Sequence, residues 1–432
     1  MTRKSPFGSF LLTCLTAVSL GAADALAPRP YLYLKVYRFD PERLADRALG
    51  YIPVDPTKPV PSARGLCYVR VLGELDRFTV DRLVGVLSQR GLRGVDLSGQ
   101  DAFNDHDCAS LAALGTLNYL ALTDTQVTDT GLSALAGLRR LTVLRAARGF
   151  TNASAEMIGR FQDLETLDLS QTGLTDAGLA FLLHLPLHRL ELSPSMTDAG
   201  LQSLGSLHKL RHLDLSQTQV TDAGVAALAA FPRLETLLAS RRWTSAGLIK
   251  LADLPGLRRS LRRLDLSGTE INDHATGVLA LFENLEELAL TGTTITDLTI
   301  GRLARLPKLR ALELSDTLMT GAGLAELRAL PKLEVLSISM DEHLSVVDLR
   351  PLRGLRRLRL LIVNGYAIQG PRLNTLMTKL SALDSKLKGA SGGGENTPDF
   401  IARLGSPVPD HGLHRLEIPA ESPGGLPEDG FS

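Results

Sequence analysis

The segment "LRHLDLSQTQVTDAGVAALAAFPR", residues 210–233, has a close copy, "LETLDLSQTGLTDAGLAFLLHLP", 46 residues upstream. Leucines open comparable units at Leu66, Leu92, Leu117, Leu141, Leu164, Leu187, Leu210, Leu234, Leu261, Leu285, Leu309, Leu333 and Leu358, at intervals of 23 to 27 residues. A period of this size predicts a solenoid, in which each unit buries its apolar side only against its neighbours. Composition agrees: 44% of residues are hydrophobic but only 5% aromatic, as an aliphatic core built from small similar units requires. Acids and bases total 47 each, so no bulk basic excess points to nucleic acid.

One unit can be read residue by residue. In "LRHLDLS" the two-residue alternation puts Leu213 and Leu215 on one side of a short strand and His212, Asp214 and Ser216 on the other. "QTQV" turns the chain and returns Val220 to the core. Asp222, in "TDAG", is expected to cap the helix that follows. Val225, Leu228 and Phe231, three apart, form one helix face. Strand, turn and helix make one coil, and stacked coils join their strands into a parallel sheet.

The pattern "LxxLxLSxTxVTDAGLxxLxxL" resembles the leucine-rich repeats of the ribonuclease-inhibitor-like and F-box-associated kind. It is also similar to secreted or envelope repeat proteins of planctomycete-like bacteria. The resemblance spans about three-quarters of the chain. It implies an α/β solenoid with the parallel sheet on a concave face, short helices on a convex face, and a protein-binding role. Many relatives carry asparagine or cysteine in the turn, where this chain has Thr125, Thr172, Thr218, Thr269, Thr293 and Thr317; a hydroxyl still serves turn backbone groups.

The coil frame divides the chain into 1–27, 28–65, 66–383 and 384–432. Residues 1–27 read as an export signal: "MTRK", an apolar run, then small residues allowing cleavage after Ala23, Ala25 or Ala27. The mature chain is then expected outside the cytoplasm, without a membrane span. Residues 28–65 offer a strand in "YLYLKVYRF", a short helix in "DPERLADRAL" and a Pro-rich linker, together capping the first coil. The 384–432 segment opens with "GASGGGENTPD" and reads as a flexible tail. Cys108 is expected on a buried helix face and Cys67 on a strand's outer side, as free thiols rather than a zinc site.

Three units are one residue short in the turn and carry Phe150, Met196 and Trp243 where others have valine, leucine or isoleucine. A larger side chain still reaches the core from a shorter turn, which places the single tryptophan inside. The competing reading is an exposed hot spot beside Arg241 and Arg242.

Function is expected on the outward face of the strands. Its central column runs through Arg145, Asp168, Glu191, Asp214 and Asp265, with neighbours about 4.8 Å apart. The adjoining column supplies Thr166, Arg189, His212, Thr236 and Arg263, expected to relieve part of the acid–acid repulsion. These residues, with Arg241 and Arg242, form the candidate site: a partly acidic groove for a basic or hydroxyl-rich protein or peptide. Further on, outward Val335, Leu360 and Ile362 need covering, either by "YAIQGPRLNTLMTKLSAL" or by a second copy of the chain, which leaves a homodimer open.

Catalytic signals are absent from the sequence. His184 and His188 are separated by Pro186, and no Walker loop, "GxSxG", "HExxH" or dinucleotide turn occurs. No cofactor or metal is implied. The runner-up function is an intracellular adaptor analogous to F-box repeat proteins. It calls for an apolar three-helix module before the repeats, where residues 28–65 have a tyrosine-rich strand and prolines.

Overall fold

Leucine alternation builds the strands as expected. Leu213 and Leu215 are fully buried, while His212 and Asp214 take the opposite face of their strand. Each leucine removed from water in this way contributes roughly 1.5–3 kcal/mol. The computed structural model describes residues 34–40, 45–51, 66–72, 75, 77–340, 344, 346–386 and 406–407. The export-signal reading of residues 1–27 lies outside them, as does most of the linker and tail.

Strands β1 (Leu34–Asp40), β2 (Ala45–Tyr51) and β3 (Leu66–Val71) precede the coils. The coil strands are β4 (Gly94–Asp96), β5 (Tyr119–Ala121), β6 (Val143–Arg145), β7 (Thr166–Asp168), β8 (Arg189–Glu191) and β9 (His212–Asp214). They continue as β10 (Thr236–Leu238), β11 (Arg263–Asp265), β12 (Glu287–Ala289), β13 (Ala311–Leu314), β14 (Val335–Ile338) and β15 (Leu360–Val363). From β3 to β15 each pairs in parallel with the next, without a register shift among the coil strands. Short α- or 3-10 helices return the chain between strands, and one continuous aliphatic core lies between sheet and helices. This is the expected α/β solenoid. The turn threonines act as their hydroxyls suggest: Thr125, Thr218 and Thr269 are buried and donate to the carbonyls of Leu122, Leu215 and Leu266 at 2.6–2.7 Å.

The "TDAG" tetrad differs from expectation, and the difference explains the motif. Asp222 does not cap its own helix, Gly224–Ala230, which has no side-chain cap; the Thr221 hydroxyl accepts the Ala223 N–H in the turn before it, at 3.2 Å. The Asp222 carboxylate instead reaches the following coil, accepting the Thr244 N–H at 2.9 Å and its hydroxyl at 2.6 Å. Asp105, Asp129, Asp176, Asp198, Asp273 and Asp297 grip Thr128, Thr151, Thr197, Thr221, Thr296 and Thr320 in the same two-pronged way. All of these threonines but Thr221 cap their helix while their own backbone is held by the preceding coil, so orphan donors are satisfied in series. The glycine completes the device. A Cβ on Gly200, Gly224 or Gly247 would come within 2.1–2.4 Å of the preceding coil's carboxylate oxygen.

The ends are closed differently. β1 lies antiparallel between β2 and β3, so a hairpin finishes the first edge. The helix expected from "DPERLADRAL" is replaced, over Ala45–Tyr51, by strand β2: pairing along all of β1 outweighs local helix preference. At the far end β16 (Tyr366–Gln369) turns back antiparallel on β15, and β17 (Ser406–Pro407) pairs with β16. The helix Pro371–Lys386 adds Leu373, Leu376 and Leu380 to the core. Val335, Leu360 and Ile362 are buried within the single chain, clustered with Ala311 and flanked by Ala367 of β16. Cys108 is buried as expected, and burial, helped by Asp105 and Asp107, pushes its thiol up to about 12. Cys67 is half-buried and, by alternation, shares the inward side of β3 with Val69 and Val71 rather than the outer side.

Candidate binding face

Strand register brings most of the sequence-derived site together on one sheet face. Arg145, Asp168, Glu191 and Asp214 are direct neighbours in one column, and Thr166, Arg189, His212, Thr236 and Arg263 in the adjoining one. Asp265 resumes the acid column beyond Leu238. Arg241 and Arg242 are not on this face: they occupy the exposed turn after β10, and Trp243 next to them is fully buried. Phe150 and Met196 are equally buried, so all three short turns are filled from the core side.

The acids have an internal task that spacing alone does not reveal. Asp96, Asp168, Asp214 and Asp265 each accept the N–H of the residue two further on, at 2.8–2.9 Å. Such a turn bends the chain away from the sheet, which is why "DLS" recurs. Glu191 instead accepts from the Arg189 Nε on its own strand at 2.9 Å. Among the described residues neither Asp168 nor Asp214 forms an ion pair. Arg263 pairs across strands with Glu287 at 3.3 Å, and Arg70 with fully buried Asp96 at 2.7 Å.

His212 does not relieve the acids. It is buried between β8 and β10, neither ring nitrogen has a hydrogen-bond partner among the described residues, and burial, then Arg189 and Arg263, drive its pKa well below normal. The ring is therefore neutral at physiological pH. At the first coils the same face is apolar and aromatic: Tyr68 and Tyr119 stack at 4.1 Å, clustered with Ala121 and Val143. Gly94 lies between them in the column, where a Cβ would meet Tyr68 Cβ at 2.6 Å, and the Arg145 guanidinium sits 6.0 Å over Tyr119.

Burial, reinforced by Glu191, pushes the Asp168 carboxyl up to about 6; the Ser170 hydrogen bonds and Arg145 draw it back only in part. Asp214 is raised for the same reasons, burial and then Glu191. A raised carboxyl contributes stability that is full below its unfolded value, about 3.9, and lost as pH rises through the folded value. Lowering pH from about 7.5 to 5 is thus expected to stabilise the coils around β7 by about 1–3 kcal/mol, read from the denaturant midpoint. D168N should raise the midpoint at pH 7.5 and flatten this rise. Asp129 and Asp273 oppose it at lower pH. Burial raises them, but hydrogen bonds from Ser154 and Thr151, and from Thr299 and Thr296, outweigh it and lower both. Their stabilisation is present above the ordinary carboxylate value and lost as pH falls through the depressed one.

Among the described residues no helix is long and apolar enough to cross a membrane, and no group of three or more His, Cys, Asp or Glu side chains is placed to hold a metal ion. Residues 79–322 match the family model described as a leucine-rich repeat region. No curated protein matches the chain. Similar solved structures include an internalin (inlF) from Listeria monocytogenes, 22% identical, covering 66% of this chain and 80% of that one, with a TM-score of 0.44. An internalin C2 from the same organism is 23% identical over 55% of this chain and 84% of its own, with a TM-score of 0.31. TLR13, in complex with ssRNA13, is 22% identical over 64% of this chain and 36% of its own, with a TM-score of 0.34.

Proposed function

Given that the chain belongs to the leucine-rich repeat family, we propose that it is an exported, non-enzymatic binding solenoid that holds a basic protein or peptide on its sheet face. The observation that carries this reading is the contiguous column Asp168, Glu191 and Asp214: Glu191 pairs with Arg189, yet both aspartates stay raised by burial and by Glu191, and neither forms an ion pair among the described residues. A cationic partner laid along the column would relieve the repulsion from Glu191, and complementary charge speeds and orients the encounter. Export is supported by the residue pattern of positions 1–27. A catalytic reading of the carboxylates finds no support, because their coil-period spacing follows from the turns they make.

Protein recovered from outside the cytoplasm of the producing cell, with intact mass lacking the first 23–27 residues, is the form to test. Immobilised, it is presented with Lys/Arg-rich peptides and matched Ser/Gly-rich peptides at two salt concentrations. Preferential, salt-sensitive retention of the basic set is expected, weakened at least tenfold, an order-of-magnitude loss of charge attraction, by D168S/E191S/D214S. Equal retention by the triple variant would put the contact elsewhere, and an intact leader would overturn export.

A further inference from the structure

The interval from Leu234 to Leu261 is the longest in the chain, at 27 residues, and the extra segment is "LPGLRRSLRRL". Proline at the first position and apolar Leu257 turn it into an additional short helix, Pro255–Ser260, inserted just before β11. Its C-terminal end brings Arg259 and Ser260 to the edge where strands begin. There they meet residues of both flanking coils. Arg211, Arg233, Arg259, Arg262, Lys308 and Glu235 line a recess of about 300 Å³ together with Ser260 and Asn284.

The recess is organised by hydrogen bonds. Asn284 Nδ2 donates to the Arg259 carbonyl at 2.7 Å, tying the insertion to the following coil. Lys308 Nζ donates to Asn284 Oδ1 at 2.5 Å, which directs its ammonium inward. Glu235, the lone acid of the lining, lies 3.4 Å from Arg211, and Arg262 is held at 2.8 Å by Glu286 just outside. Arg233 and Arg259 form no ion pair among the described residues. The Ser260 hydroxyl, whose oxygen is shut off from solvent, has no hydrogen-bond partner among the described residues. With Arg262 on Glu286 and Arg211 beside Glu235, the cations Arg233, Arg259 and Lys308 of the lining have no carboxylate partner among the described residues and repel one another. A multivalent anion removes that repulsion, because guanidinium forks match phosphate or sulfate oxygens.

We propose that this recess binds a compact oligoanion bearing phosphate or sulfate esters, at a site on the solenoid edge separate from the sheet face. The site does not depend on the groove reading, since none of its residues belongs to the acid column.

Calorimetric titration of the full chain at low ionic strength, with inorganic pyrophosphate in one arm and inorganic sulfate in the other, tests this and separates recognition of the phosphate group from that of the sulfate group. Saturable binding with a raised melting temperature is expected in at least one arm. R233S/R259S should weaken it at least tenfold. R139S/R140S removes equal charge from exposed positions on the same edge and should leave binding within about twofold, as screened distant charges do. No binding in either arm, or equal loss in the two arginine pairs, overturns the site in favour of general charge attraction.

Discussion

Replacing Gly200 with alanine is expected to lower the stability of the repeat array by about 2–4 kcal/mol, although alanine is the better helix former by about 1 kcal/mol. The new Cβ would stand 2.1 Å from Asp176 Oδ1 and 2.8 Å from its Cγ. Asp176 has nowhere to retreat without releasing the Thr197 N–H, held at 2.9 Å, and the Thr197 hydroxyl. Hydrogen bonds to a carboxylate contribute about 1.5–3 kcal/mol each, so losing two outweighs any propensity gain. Gly205→Ala is the matched control. Its nearest neighbour would be Ala230 Cβ at 3.8 Å, and the substitution should be neutral or stabilising by up to about 1 kcal/mol. Denaturant midpoints for the two variants check this. D176A should cost less in the G200A background than in the wild type, because the contact it removes is already lost. Equal midpoints for G200A and wild type would show that the carboxylate does not link the coils.

Trp243→Ala is expected to cost about 3–5 kcal/mol. The indole is fully buried where the shortened "ASRRWTS" turn leaves a gap that neighbouring coils fill with smaller residues. Removing it opens a cavity that rigid leucine ladders on either side cannot collapse into. Trp243→Phe keeps most of the volume and should cost much less. The native protein supplies its own readout, since it contains one tryptophan. Its emission should be blue-shifted in the folded state and move red in step with circular dichroism on unfolding. Red-shifted emission from the native protein would place the ring in water and restore the hot-spot reading beside Arg241 and Arg242.

These effects also mark what could be read before the structure. Leu213 and Leu215 inside with Asp214 opposite follows from alternation alone, and the coil period carries it from β4 to β15. The columns of the sheet face were legible for the same reason. Asp222 was misread because its partner, Thr244, is 22 residues away in the next coil; a single coil, considered alone, offers only its own helix start. Strand β2 was missed because "DPERLADRAL" favours helix locally while pairing with β1 decides the outcome. The expected rescue of the acids by His212 failed on burial: a ring shut from water between two arginines stays uncharged. The tie from Asp214 to the Ser216 N–H is legible in the recurring "DLS", because aspartate forms turns by accepting the N–H two residues on.

The one-way grip of aspartate on the next threonine gives the molecule a temporal direction. A carboxylate at the growing end can wait in water at little expense, but a threonine without its predecessor leaves a helix start unsupported. Coils therefore find their support already in place whenever the chain is delivered amino end first. Shortening from the carboxyl end strips supports that nothing yet needs, whereas shortening from the amino end exposes a coil whose support has been taken away.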